Sequence, residues 1–84
     1  MKPLWERVLH LRTAMGDTQE AFAARIGVAQ PTVGRWESRE NKGPPAMINV
    51  DAIVLACGIT RGQFWADDFP ASLPPRLRAR AAGK

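Results

Sequence analysis

Cysteine and histidine are almost absent from this 84-residue chain, which holds only Cys57 and His10. A lone cysteine forms no intramolecular disulfide. One thiol and one imidazole also fall short of the four ligands a structural zinc takes. The expectation is a reducing, cytoplasmic setting, with no metal and no cofactor. The same scarcity argues against an enzyme, since the chain shows no Ser/His/Asp or Cys/His arrangement and no phosphate-cradling glycine loop. Cys57 sits near the end of an apolar segment, which suits a buried thiol better than a nucleophile. Long apolar runs are missing as well. The longest, Ala52–Cys57, is far below the ~20 residues that span a bilayer. The opening Met1–Glu6 lacks the apolar core of a signal peptide, so no membrane partner is expected. β-Branched residues never alternate over four or more positions, which removes the signal for a sheet.

Acidic residues are also in deficit. Twelve Lys and Arg face eight Asp and Glu, giving a net charge of +4 and a pI near 10.2. That balance favours polyanionic partners, nucleic acid first. Four of the cations, Arg76, Arg78, Arg80 and Lys84, fall in a C-terminal stretch rich in proline and arginine. Residues 1–69 are expected to form one domain, and residues 70–84 a basic, mostly disordered tail.

What remains is helical punctuation. Leu4, Val8, Leu11 and Met15 recur at helical spacing behind Pro3, joined by Trp5 and Leu9, and Gly16-Asp17 ends that segment. Thr18 is a good N-cap for a second helix whose apolar face is Phe22 and Ile26, and Gly27 stands where a left-handed residue closes a helix. A third short helix, about Gln30–Glu37, carries Val33 and Trp36 on one face and tolerates Pro31 in its first turn. After the polar loop Arg39–Pro45, a fourth helix spans about Met47–Cys57, burying Val54 and Leu55, and Gly58 ends it. A fifth, about Arg61–Ala66, brings Phe64 and Trp65 to the core. The fold class is therefore all-α, a compact bundle of about five helices.

Thr18 to Glu37 concentrates the functional signal. Two helices meet at a tight turn around Gly27, with small Ala23 where they approach each other. Val28, Val33 and Trp36 face inward, leaving Gln30, Pro31, Gly34 and Arg35 on the outer face. In isolation, Gln30 and Arg35 are better read as two solvated polar residues on an exposed helix. Their setting decides otherwise. Arg12, Thr18-Gln19-Glu20, Ala23, Ile26-Gly27-Val28, Gln30, Val33 and Arg35-Trp36-Glu37 together resemble the lambda-repressor/Cro-like (XRE) helix-turn-helix family, over about Leu4 to Trp65.

The resemblance implies a sequence-specific transcriptional regulator of double-stranded DNA, of phage or plasmid repressor or Cro-like type, with residues 30–37 in the major groove. It implies base contacts from Gln30, Pro31, Gly34 and Arg35. A glutamine amide matches adenine N6 and N7, whereas Arg35 is placed for guanine or for a phosphate. Phosphate contacts are implied for Thr18, Gln19 and Thr32, with Arg39 and Lys42 alongside. Arg12 and Glu37 are implied to pair as a structural brace. One recognition helix spans too few base pairs for specificity, so a homodimer on a DNA operator is expected, with nucleoid association in the cytoplasm. The fourth and fifth helices, near Gln63, Phe64 and Trp65, are the expected interface. The competing reading is an antitoxin-type interaction module whose tail grips a protein partner.

Several positions depart from the family pattern. Ala29 leaves the third helix without a side-chain cap, and Asp17 replaces an apolar residue and its core contact. Gly34 weakens a short helix by about 1 kcal/mol relative to alanine. Its alternatives are a close approach to a base edge or simple tolerance.

Overall fold

The computed structural model describes residues 2–38 and 47–78, with the side chains of 47–49 excepted. Among these residues there are six helices and no strand: α1 (Leu4–Ala14), α2 (Gln19–Ile26), α3 (Gln30–Trp36), α4 (Met47–Cys57), α5 (Arg61–Trp65) and α6 (Pro75–Arg78). The local signals account for most of the boundaries. Pro3 stands extended ahead of α1. Thr18 Oγ1 accepts from the Ala21 N–H at 3.1 Å, filling one of the orphan donors of α2. Gly27 adopts φ 81°, and both its own N–H and that of Val28 return to the Ala23 carbonyl. A side chain there would strain the backbone, so the sharp turn into α3 depends on glycine. Ala29 makes no side-chain cap to α3, as its methyl dictates. Thr60 and Gln63 form a reciprocal capping box on α5, enough to start a helix of 5 residues.

Leu4, Val8 and Leu11 of α1 meet Phe22, Ala23 and Ile26 of α2 and Val33 and Trp36 of α3 in one core, closed by Val50, Ile53, Val54, Cys57 and Phe64. The α4 face differs from expectation. Ile53 is fully buried, while Leu55 is 83% exposed. Nearly every residue of α4 is apolar, so no polar stripe marks its inner side, and packing alone chooses it.

The tail also departs from expectation over residues 70–78. Its proline and arginine content points to disorder, yet Phe69, Leu73 and Leu77 are all at most 2% exposed. Burying a leucine side chain contributes roughly 1.5–3 kcal/mol, enough to hold a short segment down. His10 Nε2–H donates to the Leu77 carbonyl at 2.7 Å, and Arg76 Nη2 donates to the Cys57 carbonyl at 2.8 Å. The second bond satisfies an orphan acceptor at the end of α4 and places a cation at the negative end of its dipole. The rest of the tail, residues 79–84 with Arg80 and Lys84, lies outside the described residues.

Arg7 is the largest surprise of α1, being entirely buried. It occupies the same face as Leu4 and Leu11. Its Nε donates to the Lys2 carbonyl at 2.9 Å, and Nη1 donates to the carbonyls of Phe64 and Ala66. The guanidinium lies 5.5 Å from the Trp65 ring centre and 5.2 Å from that of Phe69. These contacts tie α1 to the end of α5, where unpaired carbonyls are most costly. Burial lowers the Arg7 pKa below the ordinary guanidinium range, partly offset by the charge of Asp67.

Candidate nucleic-acid interface

The outer face of the α2–α3 pair is built from the start of α2 and from both ends of α3. Gln30, Pro31 and Arg35 are exposed on α3, and Thr18 and Glu20 are exposed at the start of α2. Thr32 and Gly34 are half-buried. Arg35 Nη2 stands 3.5 Å from Thr32 Oγ1, one turn back on the same helix. Arg39 and Lys42, the expected loop contacts, lie outside the described residues.

Behind this face runs a chain of side-chain hydrogen bonds. Arg12 grips Glu37 as a fork, Nε to Oε2 at 2.6 Å and Nη2 to Oε1 at 3.0 Å, while its Nη1 donates to the Asp17 carbonyl at 2.9 Å. Both partners are withdrawn from solvent, with side chains 17% and 6% exposed. Glu37 Oε1 accepts a further bond from Gln19 Nε2 at 3.0 Å. Gln19 Oε1 in turn accepts from Gln30 Nε2 at 2.9 Å. The last turn of α1, the first residue of α2 and both ends of α3 are thus joined from Arg12 to Gln30. A two-point guanidinium–carboxylate contact fixes angle as well as distance, so it sets the tilt of α3 against α1.

Gln30 emerges from this chain with a defined amide. One N–H is spent on Gln19, which leaves one N–H and the carbonyl oxygen of this exposed side chain for other partners. Gln19 is likewise held at both ends of its amide and keeps one N–H. The resemblance gave Gln19 a phosphate role, and its bonds to Glu37 and Gln30 were not legible. Gln19 lies on α2 and its two partners at opposite ends of α3, and no local pattern announces a contact between them.

Asp17, where an apolar residue is usual, forms a second fork with Arg25 at 2.7 and 3.0 Å. That fork ties the turn before α2 to the last turn of α2 in place of an apolar contact. The Arg25 pKa is raised by its hydrogen bond to Asp17. A spacing of about two helical turns was the available signal.

The helix-turn-helix profile matches residues 9–64, most of the chain. The chain belongs to the helix-turn-helix family of lambda-repressor type, a family of DNA-binding transcription regulators. Among solved structures it is similar to the restriction-modification controller protein C.AhdI from Aeromonas hydrophila, at 26% identity and a TM-score of 0.64, covering 74% of this chain and 91% of that one. It is also similar to the DNA-binding domain of the P22 c2 repressor, at 21% identity and a TM-score of 0.67, over 80% of this chain and 86% of that one. A second structure of the P22 c2 repressor, in complex with a synthetic operator, aligns at 22% identity and a TM-score of 0.67, over 81% of this chain and all of that one. No curated protein matches in sequence.

Proposed function

We propose that this protein is a sequence-specific repressor or Cro-like regulator that reads double-stranded DNA with α3 in the major groove. The observation that carries the reading is the 2.9 Å bond from Gln30 Nε2 to Gln19 Oε1. It orients the Gln30 amide so that one donor and one acceptor face outward together, the complement of adenine N7 and N6. Arg35, one turn and a residue further along the exposed face, is the second base reader, a fork suited to guanine. Pro31 has no N–H and supplies apolar contact to a thymine methyl. Thr18 and the remaining N–H of Gln19 contact phosphate at the start of α2, where the helix dipole favours an anion, and Thr32 contacts phosphate from α3. Arg39 and Lys42 extend the phosphate track.

The protein acts as a homodimer on two half-sites. Support for a second copy comes from Leu55, 83% exposed on α4, beside the Asp51–Arg61 ion pair of 3.0 Å. One acid, one base and one leucine form a patch that is self-complementary across a two-fold axis. The face expected near Gln63, Phe64 and Trp65 offers less to a partner, because Phe64 is fully buried, the Gln63 side chain is bonded to Thr60, and Trp65 is half-buried. A protein partner gripped by the tail loses support, since Leu73 and Leu77 are spent on this domain's own core.

Selection of bound sequences from random duplex DNA tests the reading, and a palindrome is the expected product. Gln30→Ala and Arg35→Ala should each relax one base position by about 1–3 kcal/mol. No enrichment of any sequence rejects specific reading. A uniform loss across sequences with a shallower salt dependence turns both residues into phosphate contacts. Sedimentation of Leu55→Glu decides the dimer face, because an unchanged dimer places it elsewhere.

A further inference from the structure

Gly34 lies at the middle of α3, directly beneath the Gln19 side chain. Gln19 bonds Glu37 at one end of α3 and Gln30 at the other, so its amide must lie along the helix surface between them. A Cβ placed on Gly34 would stand 3.6 Å from Gln19 Oε1, the atom that receives Gln30. That is ordinary contact for a methyl group, and among the described residues Gln19 Oε1 is the one atom of another helix within 4 Å of it. Longer side chains in a helix point back over the residues three and four positions earlier, which here are Pro31 and Gln30. A side chain at position 34 would therefore enter the place where the two glutamine amides meet. Glycine is the poorest helix former after proline, and α3 has only 7 residues. The geometry accounts for the lack of a long side chain at this position, while a methyl group would fit.

We propose that Gly34 is a positioning residue for base reading. Its missing side chain leaves the groove in which the Gln19 amide lies, and through Gln19 it sets the amide of Gln30. The groove follows from the free protein alone, while its consequence for DNA rests on the reading of Gln30 as a base contact. Gly34 thus acts through Gln19 and Gln30 rather than by touching a base.

Gly34→Ala, Gly34→Leu and Gly34→Met test this, beside Gln19→Ala and Gln30→Ala. The contact is read in the free protein from side-chain amide NMR cross-peaks between Gln19 and Gln30. Base discrimination is read with duplexes recovered by selection and varied one base pair at a time. Gly34→Ala should keep the cross-peaks and the discrimination, and raise the melting temperature by roughly 4–8 °C. Gly34→Leu should fold, lose the cross-peaks, and lose discrimination at the Gln30 base pair about fivefold or more. Adding Gln19→Ala to Gly34→Leu should cost nothing further at that base pair, since both act on one contact. Met keeps the test alive if the Leu variant fails to fold. A folded Leu or Met variant that retains the cross-peaks overturns the proposal. So does one that loses them with discrimination intact while Gln30→Ala reduces it. If Gln30→Ala itself leaves discrimination unchanged, the base-reading assignment has failed, and the cross-peaks still report on the groove separately.

Discussion

Replacing Glu37 by alanine removes three charge-assisted hydrogen bonds at once, two from Arg12 and one from Gln19. The cost follows from what is left behind. Arg12 becomes an uncompensated cation with a side chain only 17% exposed, and breaking such a pair by deleting one partner costs roughly 3–5 kcal/mol. Arg12 keeps its bond to the Asp17 carbonyl and some access to water, so the lower end applies, about 3 kcal/mol. At 0.05–0.15 kcal/mol per residue, a chain of 84 residues has a total stability of roughly 4–13 kcal/mol. The variant should therefore lose a large share of it, with a melting temperature lower by roughly 12–24 °C. Operator affinity should fall with it, because Gln19 loses one of its two anchors and Gln30 its buttress. Urea unfolding followed by circular dichroism measures the first effect, and fluorescence anisotropy on labelled duplex measures the second. The paired replacement Arg12→Met with Glu37→Leu separates them. Apolar packing should restore much of the stability without restoring the Gln19 anchor, so folding recovers and specific binding does not. The reasoning is refuted if Glu37→Ala unfolds within about 0.5 kcal/mol of the parent, for then the pair is no brace.

Three other variants probe features away from the DNA face. Arg7→Met should cost about 3 kcal/mol or more, since the carbonyls of Lys2, Phe64 and Ala66 lose their donor in a buried place; an unchanged urea midpoint would show that they are otherwise satisfied. Leu77→Ala should cost about 2–5 kcal/mol by opening a cavity under α6, and no change would mean that α6 adds nothing to the fold. Burial pushes the Cys57 thiol from 9.0 up to about 11. Because the folded value lies above the unfolded one, its contribution is whole below pH 9 and is lost as pH rises through 11, about 3 kcal/mol in all. Unfolding of the parent and of Cys57→Ala at pH 8 and pH 11 checks this, and parallel losses in the two would exclude the thiol as the cause.

Position by position, legibility tracks the range of the interaction. Thr18 and Gly27 act on residues within one turn, and the helix they bound lies where their residue types place it. Arg7 could not be read, because a cation on an apolar stripe looks like an interruption until the carbonyls at the end of α5 are brought to it. Leu55 could not be read either, since α4 offers apolar residues on every side. The Gln19 amide, whose partners sit on α3, has no local signature at all.

Composition and short-range chemistry determined that this chain is helical, basic and without an intramolecular disulfide, and the joint pattern from Thr18 to Glu37 resembled a helix-turn-helix. Those properties depend on backbone capping, periodicity and charge, all of which are written within a few residues of one another. Tertiary structure decided which face of α4 is inside, that Leu73 and Leu77 belong to the core, and that Arg12, Glu37, Gln19 and Gln30 form one chain across Gly34. Each of those outcomes is a choice of partner among distant groups. A buried polar atom takes the partner that the packed backbone brings within about 3 Å, and only the assembled fold fixes which one that is.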